Sequence, residues 1–129
     1  MRLKALILPL LLASAPAAAA PDWRQAREVE LLLSSFDIKP ETIRLRAGQP
    51  VRLRLVNQSS QRHSLSAKGF FTSAEARKRD SDEIGDGDVT VEPGDTKEVV
   101  LVPKAGRYSV RSSNLLYRIM GMGGKIIVE

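Results

Sequence analysis

Apolar and polar residues alternate from early in the chain. Val29, Leu31 and Leu33 alternate with Glu30, Leu32 and Ser34 before the turn signal Lys39-Pro40. Ile43, Leu45 and Ala47 then alternate with Arg44 and Arg46, and beyond Ala47-Gly48-Gln49-Pro50, Val51, Leu53 and Leu55 alternate with Arg52 and Arg54. A period of two is that of a strand with one face in a core and one in water, so these runs predict an antiparallel sheet with the arginines on its wet face. Further on, Val89 and Val91 lead into the turn Glu92-Pro93-Gly94-Asp95. Thr96 to Val102 and Gly106 to Val110 are separated by Pro103-Lys104-Ala105-Gly106, and Lys125 to Val128 closes the chain. Thr72 and Ser73 ahead of Ala74-Glu75-Ala76-Arg77-Lys78 predict one short N-capped helix. About seven short strands and one helix predict an all-β fold, a Greek-key β-sandwich or barrel.

The first residues do not share this pattern. Arg2 and Lys4 precede the apolar run Ala5 to Leu12, and small residues follow to Ala20. A basic start, a short apolar stretch and a small-residue end form a secretory signal pattern. Pro21 disfavours a cut directly before it, so cleavage after Ala19 is preferred to cleavage after Ala20. Residues 1–19 are therefore expected to be a signal peptide, and 20–129 a periplasmic or secreted domain with no stable membrane insertion after cleavage.

Composition narrows the chemistry. The chain has 129 residues, one His and no Cys. Disulfides, cysteine-ligated zinc, iron–sulfur clusters and thiol catalysis are excluded, and any metal must be held by His, Met, Tyr or carboxylates. Without Arg2 and Lys4, 18 basic side chains face 15 acidic ones. That balance and an aromatic content of 5% give no support to nucleic-acid binding. No Ser stands in a nucleophile elbow, and Gly121 to Gly124 precede a strand and not a helix, so no enzyme activity is expected.

The segment Phe36 to Val51 (FDIKPETIRLRAGQPV), then Leu53-Arg54-Leu55-Val56-Asn57 followed by His63, resembles the opening strands of cupredoxins. Gly106 to Ser112 (GRYSVRS) and Gly121 to Val128 (GMGGKIIV) resemble the ligand loop and last strand of that family. The resemblance implies the cupredoxin β-sandwich and a copper site near its loops. Blue copper members use His, Cys, His and Met, a soft set suited to both copper oxidation states. By this resemblance His63 falls at the first His and Met122 at the axial Met, while Ser112 occupies the Cys position and Tyr117 the second His position. Serine is a hard neutral donor, and tyrosine ligates only as a phenolate, with a reference pKa of about 10. The resemblance therefore implies a degenerate site that no longer serves a blue electron carrier, unless unusual ligands support electron transfer.

Four features remain as candidates. His63, Met122 and Met120 could hold copper(I), since thioether and imidazole bind it without a deprotonated ligand; otherwise the methionines are adaptable packing residues. Asp80, Asp82, Glu83, Asp86 and Asp88 could gather a hard cation, but Ile84 breaks the calcium-loop spacing, and a solvated loop is expected. Arg44, Arg46, Arg52 and Arg54 would form one arginine face able to meet an acidic partner or an anionic lipid surface, or simply the wet side of the sheet. Leu115, Leu116, Tyr117, Ile119 and Met120 would plug the vacated copper site or form a protein-binding patch, the plug being preferred. Two functions follow: a copper-binding, metal-handling module with a copper donor or acceptor as partner, or a metal-free module that binds a protein of the same compartment.

Overall fold

The computed structural model describes residues 20–129; the expected signal segment lies outside the described residues. The alternating runs form the strands they predict. β1 (Arg27–Leu33), β2 (Ile38–Lys39), β3 (Thr42–Leu45) and β4 (Val51–Asn57) come first, and in β4 every second side chain, Val51, Leu53, Leu55 and Asn57, is buried. After them come β5 (His63–Ser66), helix α1 (Lys68–Ser73), β6 (Glu75–Ala76), β7 (Asp88–Val91), β8 (Thr96–Val102) and β9 (Gly106–Ser112). Helix α2 (Leu115–Ile119) and β10 (Gly123–Val128) complete the order. Two five-stranded sheets result, β2-β1-β4-β8-β6 and β3-β10-β9-β5-β7. Their inner faces meet through Leu31, Leu33, Leu53, Leu55, Val99 and Leu101 on one side and Ile43, Leu65, Val89, Val110 and Ile126 on the other. Burial of these branched side chains is the main stabilising term, about 25 cal/mol per Å² of apolar surface removed from water.

The architecture is the all-β sandwich read from the sequence, with three corrections. The sheets are mixed: β1 runs parallel to β4 and β3 parallel to β10, while the remaining pairs are antiparallel. Alternation reports which face is buried and is silent on strand direction. The single arginine face does not exist, because β3 and β4 lie in different sheets. Arg44 faces Glu129 at 3.7 Å, Arg52 is paired with Glu98, and Arg54 stands 3.6 Å from Glu28 and 3.9 Å from Glu30.

The third correction concerns the helices. The segment with good helix formers, Ala74 to Lys78, is not an α-helix: α1 ends at Ser73, Glu75 and Ala76 form a short strand, and Lys78–Asp80 is a single 3-10 turn. Thr72 Oγ1 and Ser73 Oγ donate back to the carbonyls of Lys68 and Phe70, at 2.6 and 3.2 Å, and do not act as caps. Burial of Phe70 and Phe71 fixes that turn, and Phe70 packs edge-on against Tyr108 at 5.5 Å. The chain then lines the free edge of β8: Glu75 and Ala76 pair with Val102 and Leu101, and the Arg77 N–H reaches the Val100 carbonyl at 2.8 Å. Tertiary pairing overrides a weak local preference here.

Asp80, expected in a solvated acidic loop, is buried. Its carboxylate accepts from Arg77 Nε at 2.8 Å and from the Val100 N–H at 3.0 Å, so it completes the hydrogen bonding of an otherwise open strand edge. Asp82 and Asp86 do stay in solvent, and Glu83 pairs with Lys97 at 3.0 Å. Removing one partner of a buried ion pair leaves the other charge uncompensated. Asp80→Ala is therefore expected to lower unfolding free energy by about 3 kcal/mol or more in urea titration, whereas Asp82→Ala should leave it within about 0.5 kcal/mol.

Candidate functional site

The site is built where β4 hands the chain to β5. Asn57 ends β4 fully buried, and its side chain makes four hydrogen bonds. Nδ2 donates to the Gln61 carbonyl at 2.7 Å and the Val91 carbonyl at 3.0 Å, while Oδ1 accepts from Ser59 N at 3.0 Å and Ser59 Oγ at 2.7 Å. A buried amide is tolerated because every group is paired. The loop it shapes delivers His63 to the start of β5, opposite Val91, with its side chain among the inner residues at 1% exposure.

A second loop, between β9 and β10, closes over the same end. Ser112 ends β9 fully buried, across from Leu65 of β5, and its N–H meets the Met122 carbonyl at 3.3 Å. Ser112 Oγ accepts from Asn114 N at 3.2 Å, and Asn114 Oδ1 in turn caps α2 by accepting from Leu116 N at 2.9 Å. Arg118 Nε donates to the Ser112 carbonyl at 3.2 Å, and the Met122 N–H reaches the Tyr117 carbonyl at 2.9 Å. This short helix ends through Gly121, whose φ of +88° lies in the left-handed region that favours glycine.

That reversal separates two residues expected to act together. Met120 is 57% exposed, whereas Met122 is buried at 1% exposure. His63, Ser112, Tyr117 and Met122 gather at one end of the core, and Met120 stays on the surface. The apolar loop likewise divides. Tyr117 alone turns inward, its ring edge-on to His63 at 5.2 Å and to Phe36 at 5.8 Å. Leu115, Leu116 and Ile119 remain exposed with Met120, so four of the five residues expected to plug the site do not.

His63 is chemically unusual. Neither Nδ1 nor Nε2 has a hydrogen-bond partner among the described residues, although both atoms are buried. Burial holds the imidazole pKa below its ordinary value of 6.5; the backbone of Ser34 offsets this only in part and lies outside hydrogen-bond geometry. The ring is therefore kept neutral, the form that ligates a metal. Ser112 is committed to its turn and is a hard neutral donor, so the buried sulfur of Met122 is the soft donor that the inward-facing residues supply. Among the described residues no group of three or more His, Cys, Asp or Glu side chains assembles that could hold a metal; in the acidic stretch Asp80 is engaged by Arg77 and Glu83 by Lys97.

The sequence pattern does not single out Asn57 or Phe36 as site residues. An Asn closing a strand before a polar loop was the one available signal for the first.

A family model described as a cupredoxin-like domain matches residues 4–128. No curated protein matches the chain significantly. Among solved structures, the auracyanin of Roseiflexus castenholzii is 14% identical, with a TM-score of 0.59 over 81% of this chain and 98% of that one. Auracyanin A of Chloroflexus aurantiacus, described as a blue copper protein, is 18% identical, with a TM-score of 0.53 over 79% and 99%. The McoA multicopper oxidase of Aquifex aeolicus is 16% identical, with a TM-score of 0.67 over 86% of this chain but only 31% of that one. At these identities the likeness is one of fold.

The buried imidazole has a consequence for stability. Because the folded pKa lies below the unfolded one, the unfolded state binds more protons as pH falls through 6.5 toward the folded value, and the native state loses stability across that window. Below both values the loss is complete. Urea titrations from pH 7.5 to 5 should show His63→Phe losing less stability on acidification than the parent; parallel curves would show that His63 does not titrate as its burial requires.

Proposed function

The chain belongs to the cupredoxin-like domain family, and we propose that within it the protein is a metal-handling module that binds copper(I) through His63 and Met122 and is not a blue electron carrier. The observation that carries this reading is the pair of buried, unpartnered nitrogens on His63. An unsatisfied buried polar group costs about 1–3 kcal/mol, and an apolar side chain would fill the space without that cost. A ligand that accepts the imidazole lone pair relieves the penalty at that nitrogen, the other keeping its N–H. Copper(I) suits a neutral imidazole and a thioether, neither of which must lose a proton to bind it.

The other family positions support a binding role over an electron-transfer role. With Ser112 in place of a thiolate, the strongly coupled copper–sulfur bond of a blue site has no source. Tyr117 lies against His63 as a half-buried cover, and Met120 sits outside the pair. The proposed role is non-catalytic, outside the cytosol as the N-terminal pattern suggests, with a copper donor or acceptor in the same compartment as partner. The exposed apolar residues of α2 favour a second reading, a metal-free interaction module.

Copper(I) titration against a calibrated competing chelator separates the two. One-to-one binding is expected, weakened at least tenfold in both His63→Ala and Met122→Ala and little changed in Met120→Ala. No competition with the chelator, or loss confined to Met120→Ala, would overturn the assignment. A second test uses the buried positions themselves. The double change Ser112→Cys and Tyr117→His is expected to give an intensely blue copper(II) protein; a colourless product with an intact fold would show that the loop does not hold these positions as the family site requires.

A further inference from the structure

Beyond the buried site, the adjoining surface carries two features that the copper reading does not use. One is a cationic groove of about 260 Å³ whose lining includes Arg111, Arg118 and Lys125. Lys125 lies opposite Ser109 on β9, between the outward positions Arg107 and Arg111. Among the described residues no carboxylate stands within 4 Å of these four cations, and the neighbouring Glu41 and Glu129 face Lys39 and Arg44. Gly121, Gly123 and Gly124 also line it, and the last two let neighbouring strand backbones approach closely. A Cβ at Gly123 would stand 2.9 Å from the Val110 carbonyl oxygen, and one at Gly124 would stand 2.5 Å from that of Glu41. The second feature is α2 itself, where Leu115, Leu116, Ile119 and Met120 are 57% to 72% exposed on the turn that also carries Arg118.

We propose that α2 and the groove beside it dock the protein peripherally on an anionic phospholipid surface, the cations meeting headgroup phosphates and the apolar side chains entering the interface. Apolar side chains beside Arg and Lys are the composition that holds a surface helix at a bilayer boundary. Arginine matches phosphate by paired hydrogen bonds, and each basic residue near an anionic leaflet adds attraction. Charge complementarity alone would also admit an acidic protein. The four exposed apolar residues are confined to one short turn, however, whereas a stable protein interface needs about 800 Å² on each partner. A bilayer boundary accepts each side chain separately. This inference stands apart from copper binding, and its test is run with a copper chelator present.

The experiment is sedimentation of the full chain with vesicles of phosphatidylglycerol mixed into phosphatidylcholine, beside vesicles of phosphatidylcholine alone. Every variant keeps the same N-terminus, so differences report on the docking surface. Binding is expected to the anionic vesicles only and to fall with added salt. It should weaken roughly tenfold or more in Arg111→Glu with Lys125→Glu, and clearly in Leu116→Ser with Ile119→Ser, all of them exposed positions whose thermal unfolding should match the parent. Equal binding to neutral vesicles, or parent-like binding by both double variants, overturns the proposal. So does failure to sediment at low salt, which would leave the surface to an acidic protein.

Discussion

The amide of Asn57 is the constraint from which the rest of the site follows. By donating to Val91 in the opposite sheet and enclosing the loop through Ser59 and Gln61, it ties the end of β4 to β7 and fixes where the chain re-enters as β5. The first residue of that strand is His63. With the amide satisfied on all sides, the loop has one low-energy shape, and the imidazole is delivered into the core and held there. Loss of the Asn57 bonds would strand the Val91 carbonyl as well as the amide.

The second loop is organised by the same logic of satisfied backbone groups. Ser112, Asn114 and Arg118 close a ring of hydrogen bonds around α2, and Gly121 turns the chain so that Met122 returns to the interior. Hydroxyl chemistry at Ser112 has thereby become structural, serving a turn where a thiolate would serve a metal. His63 is different: its nitrogens serve no turn and no cap. Tyr117 lies edge-on over it as a half-buried lid, and neither ring nitrogen finds a hydrogen-bond partner among the described residues. A buried polar group with no partner among the described residues is the feature that gives the copper reading its physical basis.

Much of this fold is legible in the sequence because alternation is a direct record of burial. Val51, Leu53 and Leu55 point inward as their spacing requires, and His63 and Met122, singled out by the family resemblance, are both buried. What alternation does not encode is which strand joins which sheet. Arg44 and Arg54 look like neighbours across a short turn, yet they belong to opposite sheets, each beside carboxylates from distant segments. The acidic run hid Asp80 for a related reason, since its partners are Arg77 and a backbone N–H twenty residues away. Met120 and Met122 look like a chelating pair until the left-handed glycine between them is seen to send them to opposite sides. Ala74 to Lys78 reads as helix because propensity is local, and the need to cover the edge of β8 is not.

The central claim is that the buried donors His63 and Met122, and not the exposed Met120, form a soft-metal pair. The most direct measurement follows the methionine methyl resonances and the imidazole nitrogens by NMR as copper(I) is added to one equivalent. The account predicts that the Met122 methyl and His63 nitrogen signals shift together and saturate at that point, with the Met120 methyl unmoved. Movement of the Met120 methyl alone, or an imidazole untouched by copper(I), would contradict it.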